Sequence, residues 1–173
     1  MLDKLTLVLG GAGSGKSLWA ETLVTGTGAA RLYLATAQAW DQEMQAKVTR
    51  HKAQRGANWT TIEAPLDVTG ALAQARADQV VLLDCATMWL SNHLLADSDL
   101  PGEQARLLTA LLNCAAPVVV VSNELGMSVV PDNALARQFR EAQGRLNQAL
   151  AAQAGLVVAV MAGLPLALKG QLP

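Results

Sequence analysis

The chain has 173 residues, a length that favours one domain with a substantial core over two domains. Thirteen lysines and arginines against fourteen aspartates and glutamates give a net charge of −1, which excludes a broad electrostatic attraction to nucleic acid or to an anionic membrane. Hydrophobic residues make up 51% of the chain and aromatic residues only 3%, so the core must consist mainly of alanine, valine and leucine. We therefore expect a single α/β domain spanning residues 1–173.

Short runs rich in valine and leucine recur along the chain between longer amphipathic or mixed stretches. They are continuously apolar, which is typical of parallel strands that helices cover on both faces. The predicted strands are residues 5–9, 31–35, 80–84, 117–122 and 156–161. Because helical segments fit between them as right-handed crossovers, we expect a mostly parallel central sheet.

The first strand leads directly into the sequence GGAGSGKS, which has the spacing of a phosphate-binding loop. Its residues are Gly10, Gly11, Ala12, Gly13, Ser14, Gly15, Lys16 and Ser17. Glycines let successive backbone N–H groups turn toward phosphate oxygens, Lys16 supplies a positive charge to the β and γ phosphates, and Ser17 offers a hydroxyl to Mg²⁺. The strand, loop and helix context disfavours a chance glycine-rich turn, and it predicts a nucleoside triphosphate site in a P-loop NTPase fold of the RecA-like type.

A second metal-binding group is expected at the end of a neighbouring strand. Asp84 ends the predicted strand VVLLD and is the candidate to hold or orient Mg²⁺ together with Ser17. The alternative is that Asp84 only caps the following turn. No N-K-x-D element is present to read guanine, so motifs of that type do not reveal the base preference.

Two predicted helices bear on function. The first begins near Trp40, and its apolar stripe reaches His51 as the next position. The second begins near Pro131 and Asp132. Its predicted apolar face comprises Leu135, Phe139, Ala142, Leu146 and Leu150, and the residues predicted to lie off that face are Arg137, Arg140, Gly144 and Asn147.

Several blocks of sequence together resemble a known enzyme family. They are GGAGSGKS, LATAQAWDQEM, RHKAQRGANW, LLDCATMWLSN and VSNELGMSVVPDNALARQFREAQGRLNQ. The chain is similar to the bifunctional adenosylcobinamide kinase / adenosylcobinamide-phosphate guanylyltransferase of cobalamin biosynthesis. The resemblance implies that ATP or GTP phosphorylates the aminopropanol hydroxyl of adenosylcobinamide, and that GTP then guanylylates this phosphate through a GMP–histidine intermediate. It also implies a homotrimer with active sites near the subunit contacts.

The same resemblance assigns roles to individual residues. It implies that His51 is the guanylylated residue and that residues 10–17 contact the nucleotide, among them Lys16, whose charge in the phosphate loop also makes it a candidate catalytic residue. The implied nucleotide contacts beyond residues 10–17 are Ala35, Thr36, Ala37, Lys52, Ala53, Gln54, Arg55, Glu63 and Asp84. The chain departs from the family pattern at Gly13, where arginine is common, at Asp84, where some members have glutamate, and at Arg50, where some members have a second histidine.

The surroundings of His51 in the sequence suit a nucleophile. An imidazole attacks through a neutral nitrogen, and the neighbouring cations Arg50, Lys52 and Arg55 disfavour the imidazolium form. The same cations can bind the triphosphate and stabilise charge on the departing pyrophosphate. The alternative is that His51 packs against the core, in which case the chain is a monofunctional P-loop kinase of a small molecule.

A third hypothesis is an ATP-driven nucleic-acid or assembly protein that uses the same fold. The sequence pI near 6.1 argues against it, and we expect no nucleic-acid partner.

The longest apolar stretch, residues 155–168, is shorter than the roughly 18 to 20 residues of a membrane span and contains Pro165, so it predicts a buried strand and its exit. The N-terminus lacks the long apolar region of a signal peptide, which predicts a cytoplasmic protein.

Other residue types have a plain structural interpretation. Cys85 and Cys114 are predicted to be small core residues, and His93 is predicted to lie in the core or on a helix surface. The tryptophans are predicted to pack in the core or an interface, although Trp59 could contact a base or the corrinoid.

Five polar residues follow the fourth predicted strand and are candidates to contact the corrinoid or its phosphate. The alternative is that they form surface ion pairs. They are Glu124, Arg137, Arg140, Arg145 and Asn147.

Overall fold

A computed structural model describes residues 2–37 and 58–173 of the chain. Its strands are β1 (Leu5–Gly10), β2 (Ala30–Ala35), β3 (Trp59–Glu63), β4 (Gln79–Asp84), β5 (Val118–Asn123), β6 (Leu156–Met161) and β7 (Leu164–Lys169). They form one sheet in the order β3-β2-β4-β5-β1-β6-β7. Only β7 runs antiparallel to its neighbour within this part of the chain, so the prediction of a mostly parallel sheet is confirmed.

Helices cover both faces of the sheet. The described helices are α1 (Lys16–Gly26), α2 (Val68–Leu72), α3 (Ala86–Leu95), α4 (Leu100–Asn113) and α5 (Ala134–Gln153). Successive strand residues alternate between two apolar clusters: Leu7 packs in the cluster that includes α2 to α5, and Val8 packs in the cluster that includes α1. Because both faces of the inner strands are buried, their sequences are continuously apolar rather than alternating.

All five strands predicted from the sequence are present, with ends within one residue of the predictions. The edge strands β3 and β7 were not predicted. Their side chains are largely exposed or half-buried, so neither strand has the continuous apolar run of a strand covered on both faces. The predicted exit after β6 is a hairpin whose turn residues Ala162 and Gly163 both have positive φ, 52° and 78°.

The helix predicted near Pro131 is α5, whose N-cap is Asn133. Its predicted apolar face is buried at Ala142, Leu146 and Leu150, whereas Leu135 in the first turn is exposed. The prediction that Asn147 lies off this face is wrong. Asn147 is buried, and its amide oxygen accepts a hydrogen bond inside the protein, which makes burial of this polar side chain possible. The apolar pattern of the helix does not indicate that contact. The helix predicted from Trp40 lies outside the described residues.

His93 and Cys114 occupy the core, as predicted. The two ring nitrogens of His93 lie within hydrogen-bond distance of Ser98 Oγ (3.0 Å) and of the Leu66 carbonyl oxygen (3.2 Å), and burial lowers the pKa of His93. In the part of the chain that the structure describes, no helix is long and apolar enough to cross a membrane.

Candidate nucleotide and phosphoryl-transfer site

The phosphate loop, residues 10–17, connects β1 to α1 as the sequence predicts. Gly10 ends β1, and Gly15 is the N-cap of α1 with a φ of 91°. Gly13 also has a positive φ, 68°. These left-handed residues bend the loop over the start of α1, where the helix dipole contributes roughly half a positive charge. Lys16 Nζ donates a hydrogen bond to the Gly11 carbonyl oxygen at 3.0 Å, so its ammonium group lies over the loop.

The loop is packed closely enough to require glycine at two positions. A Cβ atom on Gly10 would collide with Ser14 Oγ and lie 2.6 Å from the Val160 carbonyl oxygen. A Cβ atom on Gly15 would lie 3.1 Å from Gly163 Cα in the β6–β7 turn, and the Gly163 N–H donates to the Ser14 carbonyl oxygen at 2.8 Å. The hairpin therefore supports the phosphate loop from the side.

Asp84 lies at the carboxyl edge of the sheet, where the phosphate loop also begins. Its Oδ2 accepts a hydrogen bond from the Tyr33 hydroxyl at 2.9 Å. The pKa of the neighbouring Cys85 thiol is raised to about 11, mainly by burial and then by the Asp84 carboxylate, while the Lys16 ammonium acts in the opposite direction. Both charges therefore act on one thiol, although β5 separates β4 from β1.

The oxygens of Ser17 and Asp84 suit a magnesium ion that a nucleotide carries. Among residues 2–37 and 58–173, no group of three or more histidine, cysteine or acidic side chains could hold a metal by itself. Mg²⁺ in nucleotide sites keeps several waters and binds through one or two protein oxygens plus phosphate oxygens. A hydroxyl at the start of α1 and one strand-end carboxylate match that requirement.

The ends of β2 and β3 contribute further predicted contacts. Ala35 pairs in register with Glu63 on one side and with Asp84 on the other, so these residues share the carboxyl edge. Thr36 is fully buried, and its Oγ1 both donates to the Cys85 carbonyl oxygen (2.7 Å) and accepts from the Cys85 N–H (2.8 Å). The backbone of Thr36 is paired as well, since its N–H donates to the Asp84 carbonyl oxygen (3.3 Å) and its carbonyl oxygen accepts from Asn92 Nδ2 (2.8 Å). Thr36 therefore fixes the strand ends.

A buried polar network at the end of β5 was not anticipated from the sequence. Ser122 Oγ donates to Asn147 Oδ1 at 2.7 Å and accepts from Gln143 Nε2 at 2.8 Å. The Asn123 carbonyl oxygen accepts from Asn147 Nδ2 at 3.0 Å, and the Asn123 N–H donates to Thr87 Oγ1 at 2.8 Å. The feature of the sequence that could have indicated this network is the polar pair Ser122 and Asn123, which ends the apolar run VVVVSN.

The remaining residues predicted to contact the corrinoid have different surroundings. The Glu124 N–H donates to the Gly10 carbonyl oxygen at 3.1 Å, which places Glu124 beside the phosphate loop. Arg137 donates to the carbonyl oxygens of Pro131 and Asp132, at 2.9 and 2.8 Å. Arg145 lies 3.8 Å from Glu141 in an exposed pair, which matches the surface alternative.

Trp59 begins β3 and therefore lies at the amino edge of the parallel strands, opposite the phosphate loop. Its ring packs edge-on against Tyr33, with centroids 6.1 Å apart, and lies 5.8 Å from the Arg31 guanidinium carbon. The predicted nucleophile His51 and its neighbours Lys52, Ala53, Gln54 and Arg55 lie outside the described residues.

Comparison with known proteins identifies the family of the chain. A model of the family described as cobinamide kinase / cobinamide phosphate guanyltransferase matches residues 6–168. The chain belongs to this family. It is 44% identical over 168 residues to the bifunctional adenosylcobalamin biosynthesis protein CobP of Pseudomonas aeruginosa, covering 95% of the chain and 97% of that protein. It is 40% identical over 182 residues to the corresponding CobU protein of Salmonella typhimurium, covering 95% of the chain and 99% of that protein.

Solved structures show the fold of this kinase and guanyltransferase family member. The crystal structure of the RadB recombinase matches with a TM-score of 0.54 at 19% identity, covering 91% of the chain and 74% of that protein. A protein from Pyrococcus horikoshii OT3 matches with a TM-score of 0.57 at 9% identity, covering 98% and 88%. The fold is thus the P-loop NTPase fold of the RecA-like type, as the sequence predicts.

Replacing Gly15 with alanine tests the packing of the phosphate loop. We expect Gly15→Ala to lower the free energy of unfolding by at least about 1 to 2 kcal/mol, because a Cβ is costly at positive φ and this one also approaches Gly163. Gly11→Ala is the matched control, since nothing lies within 4 Å of its added Cβ. Urea denaturation measures both variants, and equal midpoints would contradict this account of the loop.

The raised pKa of Cys85 predicts an unreactive thiol. A shift from 9.0 to about 11 lowers the thiolate fraction at pH 8 by roughly a hundredfold. We expect iodoacetamide to alkylate Cys85 at least that much more slowly in the folded chain than in urea, as measured by mass spectrometry of the Cys85 peptide. Alkylation at the same rate in both conditions would show that the thiol is not buried beside Asp84.

Proposed function

We propose that the chain carries out two successive reactions on one P-loop scaffold. It first phosphorylates the aminopropanol hydroxyl of adenosylcobinamide with ATP or GTP. It then transfers GMP from GTP to adenosylcobinamide-phosphate through a GMP–His51 intermediate, giving adenosylcobinamide-GDP. The observation that carries the proposal is the phosphate loop, with the Lys16 ammonium over it and Asp84 at the same edge of the sheet, in a member of this family.

The first reaction is a phosphoryl transfer, in which positioning and charge stabilisation provide most of the catalysis. The backbone N–H groups of the phosphate loop bind the triphosphate, and Lys16 stabilises charge on its β and γ phosphates. Ser17 and Asp84 would hold Mg²⁺, which neutralises negative charge on the phosphate oxygens. The helix dipole of α1 acts in the same direction.

The second reaction proceeds by covalent catalysis. The neutral imidazole of His51 attacks the α-phosphorus of GTP, pyrophosphate leaves, and the phosphate of adenosylcobinamide-phosphate then displaces the histidine. The cations Arg50, Lys52 and Arg55 favour the neutral imidazole and attract the polyphosphate. The nucleotide contacts that support this step in the proposal are Ala35, Thr36, Ala37, Lys52, Ala53, Gln54, Arg55 and Glu63.

We further propose a cytoplasmic homotrimer. The exposed leucines of β7, Leu164, Leu166 and Leu168, support a contact between copies, because a row of apolar side chains on an edge strand favours association. The location follows from the substrates, since ATP and GTP are cytoplasmic nucleotides.

Removing the cation of the phosphate loop tests the nucleotide site. We expect Lys16→Ala to reduce both reactions at least about a hundredfold, because Lys16 is the loop's charge toward the transferred phosphate. The circular dichroism spectrum should stay unchanged. Arg76→Ala removes an exposed cation that pairs with Asp78 and is the matched control, expected to retain full activity. A Lys16→Ala chain with full turnover would overturn the assignment.

Labelling with GTP radioactive at the α phosphate separates the bifunctional enzyme from a monofunctional kinase. We expect a protein adduct that is labile in acid and stable in base, that forms with Mg²⁺ and that is absent from His51→Ala. The other histidine provides the control, because buried His93 should be dispensable and His93→Gln should still be labelled. If the unaltered chain takes up no label, the guanylyltransferase assignment fails and the kinase alternative stands.

A further inference from the structure

Two buried oxygen atoms beside Gly10 have no hydrogen-bond partner among the residues that the structure describes. They are Asn123 Oδ1 and Ser14 Oγ. Ser14 Oγ is the atom that a Cβ on Gly10 would strike, so it lies directly over that glycine. Asn123 is the register partner of Gly10 on β5, one strand spacing of roughly 4.8 Å away. Buried oxygens without a partner are uncommon because they cost stability, so these two, one in the phosphate loop and one on the adjacent strand end, point to a site that a ligand completes.

The backbone of Asn123 is held by side chains on both sides. Its N–H donates to Thr87 of α3, and its carbonyl oxygen accepts from Asn147 of α5. Gln143 fixes Asn147 by donating to its Oδ1 at 2.9 Å. These contacts determine the position of Asn123 without using its own carboxamide oxygen. Asn123 itself ends β5, which lies between the strands that lead to the phosphate loop and to Asp84.

The chemistry of this oxygen limits its partner. A carboxamide oxygen only accepts hydrogen bonds, and phosphate oxygens near pH 7 are acceptors too, so the triphosphate cannot satisfy it. The partner must bring an O–H or N–H group to the phosphate loop. In a kinase, the hydroxyl group that receives the phosphate brings such a donor to the γ-phosphate.

We propose that Asn123 is a catalytic residue of the phosphorylation step and that its Oδ1 accepts a hydrogen bond from the acceptor hydroxyl. This rests on the proposed kinase function. The hydrogen bond orients the hydroxyl oxygen toward the γ-phosphorus. A bond forms between these two atoms, and the bond from the γ-phosphorus to the β,γ-bridging oxygen breaks. The nucleoside diphosphate leaves with that electron pair, and the hydroxyl proton goes to solvent, because a carboxamide does not act as a base at neutral pH.

Asn123→Leu removes the acceptor with little change in size, and its expected effects separate catalysis from stability. We expect kcat for phosphorylation of adenosylcobinamide by ATP to fall at least tenfold, with the KM for ATP within about threefold of the unaltered chain. The thermal midpoint should stay equal or rise, because the substitution removes a buried acceptor that has no partner in the described structure. Labelling by GTP uses no acceptor hydroxyl and should keep its rate.

Asn113→Leu is the matched control, since it makes the same change at an exposed residue at the end of α4. It should alter neither kcat nor the GTP labelling rate. A magnesium titration of Asn123→Leu tests whether the oxygen instead binds a metal-bound water. If excess Mg²⁺ restores kcat, the contact with the acceptor hydroxyl is wrong.

Three further outcomes separate the role of Asn123 from the proposed kinase function and from a purely structural role. If the unaltered chain forms no phosphorylated product, the proposed kinase function fails and this inference fails with it. If the unaltered chain is active and Asn123→Leu is equally active, only the role of Asn123 fails. If Asn123→Leu loses thermal stability and both reactions decline together, Asn123 is a structural residue and the inference is overturned.

Discussion

Parallel pairing of β1, β5 and β4 is the constraint on which the site depends. Because parallel strands end at the same edge, this pairing brings the phosphate loop, Asn123 and Asp84 to one edge of the sheet on three adjacent strands. The hydrogen bond from the Glu124 N–H to the Gly10 carbonyl oxygen extends the pairing past the last strand residues. Without that alignment, Lys16 and Asp84 could not act on the same thiol, Cys85.

Polar side chains buried behind this edge hold the strand ends in place. Thr36 joins the ends of β2 and β4 through two hydrogen bonds to Cys85, and Asn92 donates to the Thr36 and Pro65 carbonyl oxygens at 2.8 and 2.9 Å. The network around Ser122 does the same for β5. Buried polar groups stabilise a fold only when they are paired, so these networks specify the strand-end geometry as well as filling space.

The phosphate loop and the five inner strands could be predicted because their signals are local. A loop that needs positive φ at Gly13 and Gly15 has a recognisable glycine pattern, and a strand buried on both faces is continuously apolar. The sequence predicts Asn147 off the buried face of α5 because helical periodicity treats every polar residue as exposed. Its burial depends on Ser122, which lies 25 residues away in sequence, and no local pattern reports that contact.

The sequence by itself indicated the α/β class, the phosphate loop and membership of a cobinamide kinase and guanyltransferase family, since all three depend on residue types in recognisable patterns. Tertiary structure alone decided the edge strands β3 and β7 and the support of the phosphate loop by the β6–β7 hairpin. It also decided that Ser14 Oγ and Asn123 Oδ1 are buried without a partner among residues 2–37 and 58–173. These features arise from contacts between distant segments, and whether a buried oxygen has a partner depends on every neighbour that the fold brings to it.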